Sequence, residues 1–402
     1  RDFVEWFARY QAANGRVPCC VDRRGPDPTV EHDSMGEFIY AIAEYYRHTR
    51  DGGFVYDMWP HVVRAVDYLS SLRQQRMTAA FRSIEKEAFY GILPESLSHE
   101  GYSSNPVHSY WDDFFALRGF TDAASLAVIV NDEGRARDFA QLRDAFRQDL
   151  LASIARSMAT HQIDYIPGSV ELGDFDPTST AIALTIGLDA ADLPSAALRR
   201  TFDRYFDDFD KRRRGETDLP AYAPYELRNV NTLVRLGQRE RALDVLNFVL
   251  LGQRPEAWNQ WAEVVWRNPA DPHFIGDMPH TWIAAEFIQA IRTMFAYERE
   301  SDHSLVLAAG IPESWVRSKT GVGVQRLPTH YGVLSYSLRS EGSNAMMLRL
   351  SGDVNMPPGN IVILPPLPQP LKAVMVNGKP VETFTSDSAA ISEFPAEVLF
   401  EY

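Results

Sequence analysis

Hydrophobic residues in the first 300 positions recur every three to four residues, the spacing that predicts amphipathic helices. Gly-, Asn- and Asp-rich turns separate these periodic segments. The predicted helices cover residues 1–12, 38–46, 56–69, 112–130, 135–158, 178–188, 199–213, 226–236, 240–251 and 281–298. We therefore predict a mainly α-helical domain over residues 1–300.

The connections between these helices alternate in length. Short polar turns such as Asp51–Gly53 and Gly237–Gln238 join two helices into a hairpin. Longer connections, rich in Trp, Tyr, His, Asp and Pro, join one hairpin to the next, and long connections in a compact domain are usually functional. A closed ring of such hairpins would bring all the long loops to one end. This is an (α/α)6 barrel, of which we count about five inner helices. A helical solenoid is the alternative, but no repeat of fixed length is visible.

The pattern changes near residue 304. Short β-rich runs at 304–308, 333–338, 345–350, 360–364 and 373–376 are separated by Gly, Pro and Asn. Asn377-Gly378 is a strong hairpin-turn signal. We predict a β-sandwich over residues 304–402, with a structural or accessory role because it contains few candidate catalytic groups.

Composition and charge narrow the possible partners. A net charge of -14 argues against binding nucleic acid, which needs a basic face. No apolar run is long enough to span a membrane, so no membrane partner is expected. The adjacent Cys19 and Cys20 are expected to be free, buried thiols, and they leave the redox compartment undecided. The chain opens with Arg1 inside an amphipathic pattern, so we expect an upstream segment to be missing, and a periplasmic or secreted location is favoured.

Candidate chemistry is concentrated between Asn105 and Phe120. Asp112 and Asp113 follow Tyr110 and Trp111 and precede an apolar helical segment. Aromatic rings beside carboxylates suit a carbohydrate site, because sugars stack on flat rings and hydrogen-bond to acids. The alternative is that the two acids only cap the helix.

Six stretches precede predicted inner helices and are therefore expected to converge at one end of the ring. They are Glu31–Glu37, Tyr110–Asp113, Asp174–Thr178, Tyr225–Glu226, Trp258–Trp266 and Asp277–His280. Possible metal ligands are His32, Asp33, His108, His273, Asp277 and His280. None of them has a recognised ligand spacing, so hydrogen bonding to sugar hydroxyls or to the loops is favoured over metal binding.

Several segments resemble the six-hairpin glycosidases, in particular the α-L-rhamnosidases and the trehalase and glucosidase groups. The segment Ser109–Phe115 is similar to a Ser-Gly-Trp-Asp-Phe-Ser-Ser segment of trehalases, and this resemblance implies that Asp112 is the general acid. Trp261–Trp266 resembles the Trp-Glu-Arg-Trp segment of rhamnosidases with an altered interior spacing, which implies that Glu263 is the general base.

Further segments extend the resemblance. His32-Asp33-Ser34 occupies the place of a sugar-binding helix start, while Gly310–Trp315 and Leu327–Thr329 resemble the domain that follows such barrels. Rhamnosidases carry their acid in an Asp-Glu-Arg motif ahead of the barrel helices, and this sequence has no match to it. On the rhamnosidase pattern, the acid would lie outside the sequence.

Glycoside hydrolysis needs one protonated carboxylic acid and one carboxylate. Trp111 can raise the pKa of Asp112 by excluding water, and Asp113 by like-charge repulsion. The sequence therefore predicts an inverting hydrolase that cleaves an oligo- or polysaccharide, with Asp112 as acid and Glu263 as base, and with no cofactor. The expected substrate contacts are His32, Asp33, Glu37, Tyr110, Trp111, Asp113, Asp176, Glu226, Trp258, Trp261, Trp266, Asp277 and His280.

The same residues are also compatible with other functional classes. A glycoside phosphorylase would need a basic phosphate pocket, for which Arg23, Arg24 and Arg228 are candidates. A polysaccharide lyase on the same barrel, or a non-catalytic carbohydrate-binding protein, is also compatible with the pattern. The sequence does not specify the sugar, the anomer, the linkage or the oligomeric state.

Overall fold

The computed structural model describes residues 1–98, 102, 105–188 and 190–402. Within them the chain is predominantly helical and its large sheets lie in the C-terminal region, so the predicted class is confirmed at that level. Part of the loop predicted between Tyr90 and Tyr110, residues 99–101, 103 and 104, lies outside the described residues. The α-helices are α1 (Asp2–Ala8), α2 (Ser34–Thr49), α3 (Gly52–Gln74), α4 (Tyr110–Ile129), α5 (Glu133–His161), α6 (Pro177–Thr185), α7 (Ser195–Arg213), α8 (Leu227–Arg235), α9 (Arg239–Leu250), α10 (Thr281–Phe295) and α11 (Glu313–Val316).

The strands are short in the helical region and longer towards the C-terminus. They are β1 (Val21–Asp22), β2 (Gly25–Pro26), β3 (Ala221–Tyr222), β4 (Val265–Trp266), β5 (Ala296–Arg299), β6 (Ser304–Leu307), β7 (Val322–Thr329), β8 (Gly332–Ser340), β9 (Ala345–Val354), β10 (Ile361–Ile363), β11 (Ala373–Val376), β12 (Lys379–Pro380), β13 (Ala389–Ile391) and β14 (Ala396–Glu401). The chain divides into two compact units, Arg1–Asp203 and Arg204–Tyr402. The domain boundary at 300–304 stays a prediction.

Helix α4 is the central element of the first unit. It is buried over most of its length and packs against α2, α3, α5 and α6. A helix that is apolar on nearly every side belongs in a core. Its polar first turn must therefore find hydrogen-bond partners inside the protein, because unpaired buried polar groups are costly.

Two glycines allow α2 and α4 to approach each other closely. A Cβ atom on Gly36 would lie 2.1 Å from the backbone oxygen of Phe115, and one on Gly119 would lie 3.0 Å from the Cα atom of Gly36. Any larger residue at Gly36 would push the helices apart. This crossing brings the start of α2 next to the first turn of α4.

The second unit contains the last turns of α7, the helices α8, α9 and α10, and the short α11. Helix α8 packs against both α9 and α10, and its side chains are nearly all buried. A short 3-10 turn, Pro224–Glu226, leads into it. This turn places polar side chains at the start of a buried helix, as in α4.

The C-terminal strands form two sheets around one core. The four-stranded sheet has the order β13-β10-β6-β5, and the six-stranded sheet has the order β12-β11-β14-β9-β8-β7. Alternate residues of both sheets, such as Leu305 and Ile361 in the first and Leu348 and Phe400 in the second, belong to one buried cluster. Two sheets that share one core in this way form a β-sandwich.

The helix predicted over 281–298 is too long. Helix α10 ends at Phe295, where Ala296 becomes extended, and Ala296–Arg299 forms strand β5. This strand pairs antiparallel with the fully buried β6. Burial of Ala296 and Tyr297 against the sheet outweighs the helical pattern of these last residues.

The prediction that both cysteines are buried is wrong. Cys20 is exposed and Cys19 is half-buried, with their sulfur atoms 3.4 Å apart. They precede the small β1–β2 hairpin, which has no core of its own. In the part of the chain that the structure describes, no helix has the length and apolar character needed to cross a membrane.

Candidate active site

The first turn of α4 places Asp112 in the interior of the first unit, where the residue is 1% exposed. Ser96 Oγ donates to Asp112 Oδ2 at 2.5 Å, and Ser98 Oγ donates to Asp112 Oδ1 at 2.8 Å. Both serines lie on the loop before α4, and a bridge between Ser96 and Val107 joins two parts of this loop. Two hydroxyl groups thus replace the water that an exposed carboxylate would bind.

Asp33 is the second carboxyl group of this cluster and directly precedes α2. Its Oδ2 accepts a hydrogen bond from the indole Nε1 of Trp111 at 2.7 Å, and its Oδ1 accepts one from Ser34 Oγ at 3.3 Å. Burial raises the pKa of Asp112 well above its ordinary range, and the charge of Asp33 raises it further, against the effect of the serine hydrogen bonds. Asp112 therefore keeps its proton at pH values where an exposed aspartate is ionised.

Asp113 occupies a separate buried site. Its Oδ1 accepts a hydrogen bond from the backbone N–H of Leu93 at 3.0 Å, and its Oδ2 has no hydrogen-bond partner among the described residues. Burial raises its pKa to about 8, and the Leu93 hydrogen bond opposes this rise. Asp113 is therefore a neutral acid at neutral pH, and among the described residues it shares no hydrogen-bond partner with Asp112.

Two further predicted contacts lie at the start of α2. His32 is buried, and its pKa is lowered to about 4, first by burial and then by the charge of Arg16. The imidazole is therefore neutral at neutral pH. Glu37 is half-buried in the first turn of α2.

A second polar chain lies beside the first turn of α4. It joins His108, one of the possible metal ligands, to residues that sequence reasoning missed. His108 Nδ1 lies 2.6 Å from Glu171 Oε1, and the His108 backbone N–H donates to Glu171 Oε2 at 3.0 Å. Arg76 Nε donates to His108 Nε2 at 2.9 Å and also pairs with Glu95. Because Arg76 donates to Nε2, the hydrogen bond between Nδ1 and Glu171 is one that Nδ1–H donates.

The stretch before α6 is held by its own side chains. Asp176 caps α6 by accepting hydrogen bonds from the backbone N–H and hydroxyl groups of Thr178 and Ser179. Asp174 accepts hydrogen bonds from Ser169 and from the hydroxyl of Tyr102. Both carboxylates therefore hold the loop in its conformation. This structural role is the alternative to a contact with substrate.

Tyr110, one of the predicted substrate contacts, lies in the core of the first unit. It is fully buried, and its hydroxyl lies 2.9 Å from Ser153 Oγ on α5. The helical period explains this orientation, because Tyr110 and Phe114 lie one turn apart on the same face of α4.

In the second unit, polar and aromatic side chains gather at the starts of α8 and α10. The hydroxyl of Tyr225 lies 2.5 Å from Nε2 of His280, and the guanidinium of Arg228 lies 4.8 Å and 4.9 Å from the ring centres of Tyr225 and Trp282. Arg228 Nε donates to Glu286 at 2.6 Å in a buried ion pair. Trp282 is 40% exposed and presents an accessible ring, although the sequence analysis did not single it out.

Glu226 turns away from this cluster. Its Oε2 accepts hydrogen bonds from the hydroxyl of Tyr205 at 2.8 Å and from Arg212 at 2.6 Å, both on α7. These contacts tie the turn before α8 to α7.

Glu263 lies in the loop between α9 and α10, two residues before strand β4, and not at a helix start as the sequence suggested. It is half-buried, and its backbone N–H donates to the carbonyl of Asp277 at 3.4 Å. A Cβ atom on Gly276 would lie 2.1 Å from Glu263 Oε2, so the side chain packs closely over that glycine. The side chain of Asp277 is exposed.

The three tryptophans near Glu263 have different environments. Trp261 is 1% exposed, and its Nε1 donates to the carbonyl of Val249, so it is a core residue and not an open stacking surface. Trp258 is 58% exposed. Trp266 stacks on His273 with the ring centres 4.6 Å apart. Only Trp258 and Trp266 of this group offer a ring to a ligand.

The six stretches expected at one end of the ring fall into two groups, one in each unit. In the first unit, the starts of α2, α4 and α6 lie together through the contact between Asp33 and Trp111 and the bridge between Ser109 and Ser169. In the second unit, the starts of α8 and α10 and the loop of Glu263 lie together. The backbone N–H of His280, for example, donates to the carbonyl of Trp261 at 3.2 Å.

Solved structures give the clearest comparison. An α-L-rhamnosidase from Dictyoglumus thermophilum matches 100% of this chain with a TM-score of 0.54 at 11% identity. One from Streptomyces avermitilis, complexed with L-rhamnose, matches 99% with a TM-score of 0.55 at 13% identity. A GH78 family rhamnosidase of Bacillus sp. GL1 matches 83% with a TM-score of 0.52 at 12% identity.

The chain shares its fold with solved α-L-rhamnosidases. It spans 43%, 36% and 33% of the length of these three chains, so it corresponds to a part of each. No protein-family model matches the chain, and no curated protein matches it in sequence. The similarity therefore concerns the fold, and the chemistry has to be argued from the side chains.

Proposed function

We propose that the protein is a glycoside hydrolase that cleaves a glycosidic bond in an oligo- or polysaccharide. The observation that carries the proposal is the buried pair of Asp112 and Asp33 at adjoining helix starts, in a fold that α-L-rhamnosidases use. A general acid for glycoside cleavage must hold a proton at the working pH. The raised pKa of Asp112 meets this requirement.

In the proposed reaction, Asp112 donates its proton to the glycosidic oxygen as the bond to the anomeric carbon breaks. The negative charge of Asp33 favours the protonated form of Asp112 before the reaction. The Ser96 and Ser98 hydroxyl groups stabilise the carboxylate that remains afterwards. Asp33 thus favours the protonated form of Asp112, and the two serines favour its ionised form.

Glu263 is the proposed general base, which would take a proton from the attacking water. Its half-buried position in a loop leaves it accessible to that water. An inverting mechanism requires the two carboxyl groups to lie about 6.5–9.5 Å apart, with water between them.

The proposed substrate contacts are the accessible rings and the polar groups near them. Trp282, Tyr225 and His280 form an aromatic and hydrogen-bonding surface of the kind that sugars occupy. The first sugar to test is α-L-rhamnose, because the solved structures that share the fold are α-L-rhamnosidases, one of them complexed with L-rhamnose.

Phosphorolysis is less well supported by the arginines that the sequence suggested. Arg24 pairs with Asp22, Arg228 pairs with Glu286, and Arg23 is exposed on a small hairpin. Each of the three arginines is therefore either paired with a carboxylate or exposed on the hairpin.

The proposal is tested with a panel of nitrophenyl glycosides that begins with α-L-rhamnoside, with water or phosphate as the acceptor. We expect release of nitrophenol without phosphate. NMR of the first-formed sugar should show inverted anomeric configuration. Asp112→Asn and Glu263→Gln should each lower turnover of the best natural glycoside at least about 100-fold, because general acid–base catalysis contributes roughly 10²–10⁴-fold. Retained configuration would refute inversion, and no hydrolysis of any glycoside would refute the function.

A further inference from the structure

The second unit contains a cavity of about 260 Å³ near the C-terminal ends of α7 and α9. Four arginines line it: Arg212, Arg213, Arg254 and Arg267. None of its lining residues is acidic, although the chain has 54 Asp and Glu against 40 Lys and Arg. A positive cavity in an acidic protein selects for anions, because the surrounding negative charge repels them elsewhere.

Two of these arginines are already neutralised. Arg212 pairs with Glu226 at 2.6 Å, and Arg213 pairs with Asp210 and Asp244. Arg212 also lies 5.4–5.6 Å from the ring centres of Phe209, Tyr222 and Phe248. Arg212 therefore stabilises the fold through its ion pair and its ring contacts.

The other two arginines have no carboxylate partner within the described residues. Arg254 donates to the backbone carbonyl of Trp266 at 2.9 Å, and Arg267 donates to that of Thr217 at 3.1 Å. Each guanidinium group has five N–H donors in a planar fork that matches a carboxylate. Their remaining donors and their positive charge are therefore open to a ligand.

Aromatic rings line the same cavity. Tyr222 on β3 and Trp266 on β4 lie on paired strands, and Phe248 of α9 completes the group. Flat rings next to unpaired guanidinium groups suit a ligand that has both a ring face and an anionic substituent.

The cavity continues past Trp266. A second cavity of about 120 Å³ shares Gly252, Arg254, Val265 and Trp266 with the first. The space therefore follows β4 past Arg254 and Trp266, which suits a chain of sugar residues better than a small inorganic anion.

We infer that this cavity binds a uronic acid residue of an acidic oligosaccharide, with the carboxylate on Arg254 and Arg267 and the sugar ring against Trp266. The inference rests on the proposed function, since it takes the substrate to be a saccharide, and it narrows the substrate class to acidic glycans. Affinity should fall as salt increases, because both arginines are at least partly exposed.

The test is calorimetric titration of the full chain with trigalacturonic acid, maltotriose and inorganic phosphate. We expect trigalacturonic acid to bind with 1:1 stoichiometry and at least ten-fold more tightly than either of the others. Arg254→Gln and Arg267→Gln should each weaken binding roughly ten- to hundred-fold, because each removes a charge-assisted hydrogen bond. Arg267 is exposed, so its substitution should leave the fold intact, as circular dichroism would check.

The matched control is Arg214→Gln, which removes a neighbouring arginine that pairs with Asp210 and Glu216 and does not line the cavity. The affinity of this variant for trigalacturonic acid should equal that of the unmodified protein. Equal effects of the control and the cavity variants, or tighter binding of phosphate than of trigalacturonic acid, would overturn the inference. Saturable, arginine-dependent binding in a protein that hydrolyses no glycoside would leave the cavity assignment standing and refute the hydrolase. Glycoside hydrolysis without binding of trigalacturonic acid would support the hydrolase and refute the cavity assignment.

Discussion

Replacing Asp113 by asparagine should change how the stability of the protein depends on pH. The pKa of Asp113 rises from an ordinary value of 3.8 to about 8 on folding. Between these pH values the folded protein keeps a proton that the unfolded chain releases. The stabilising contribution is complete below pH 3.8 and is lost as the pH rises to about 8.

The size of the effect follows from the same pKa values. Each pH unit in this window should lower the free energy of unfolding by about 1.4 kcal/mol, and the whole window by roughly 6 kcal/mol. The asparagine side chain of the Asp113→Asn variant cannot ionise, but its oxygen can still accept the hydrogen bond from Leu93. Between pH 5 and pH 8, the free energy of unfolding of the variant should therefore rise by about 4 kcal/mol relative to that of the unmodified protein.

The assay is urea unfolding of both proteins at pH 5, 6, 7 and 8. Any constant difference, such as the cost of burying the amide NH₂, shifts the two curves without changing the slope of their difference. Asp57→Asn, at an exposed position on α3, is the control, because it removes a carboxylate that lies outside the interior. Parallel curves for the Asp113→Asn variant and the unmodified protein would refute the account of a buried, proton-holding Asp113.

Three further substitutions test the packing that positions the candidate site. Gly36→Ala should destabilise the protein by roughly 1–3 kcal/mol in thermal unfolding, despite the higher helix propensity of Ala, because the new Cβ atom would meet the carbonyl of Phe115; a gain in stability would contradict the close helix crossing. Glu286→Gln should cost roughly 3–5 kcal/mol in urea unfolding, because it takes the carboxylate away from the buried Arg228, and an effect below about 1 kcal/mol would show that this pair is solvated. Trp111→Phe should lower stability by about 1.5–3 kcal/mol, because it removes the indole hydrogen bond to the carboxylate before α2, and an unchanged melting temperature would argue against that bond.

Elements whose pattern is periodic and local could be predicted from the sequence. The buried stripe of α2 includes Phe38, Ile39 and Ile42, which lie on one helical face. The Asn377-Gly378 turn joins β11 to β12 with positive φ angles of 49° and 76°, the conformation that this dipeptide favours. In both cases neighbouring residues determine the structure.

Contacts between distant segments could not be predicted. Arg76 meets His108 across 32 positions, and His108 meets Glu171 across 63, without any motif that would mark them. Glu263 was expected at a helix start, but the segment between α9 and α10 has no hydrophobic period, so its conformation depends on tertiary contacts such as the one with Asp277. The aromatic residues were equally ambiguous, since nothing in the local sequence separates the buried Trp261 from the exposed Trp258.

The most direct test of the central claim is the response of Asp112→Asn to leaving-group acidity. A dinitrophenyl leaving group needs no proton, whereas the alcohol leaving group of a natural glycoside does. The account predicts that kcat/KM for the natural glycoside falls at least about 100-fold in Asp112→Asn, while kcat/KM for the dinitrophenyl glycoside of the same sugar stays within about ten-fold of the unmodified protein. Equal losses on both substrates, or near-normal activity on the natural glycoside, would contradict the role of Asp112 as general acid.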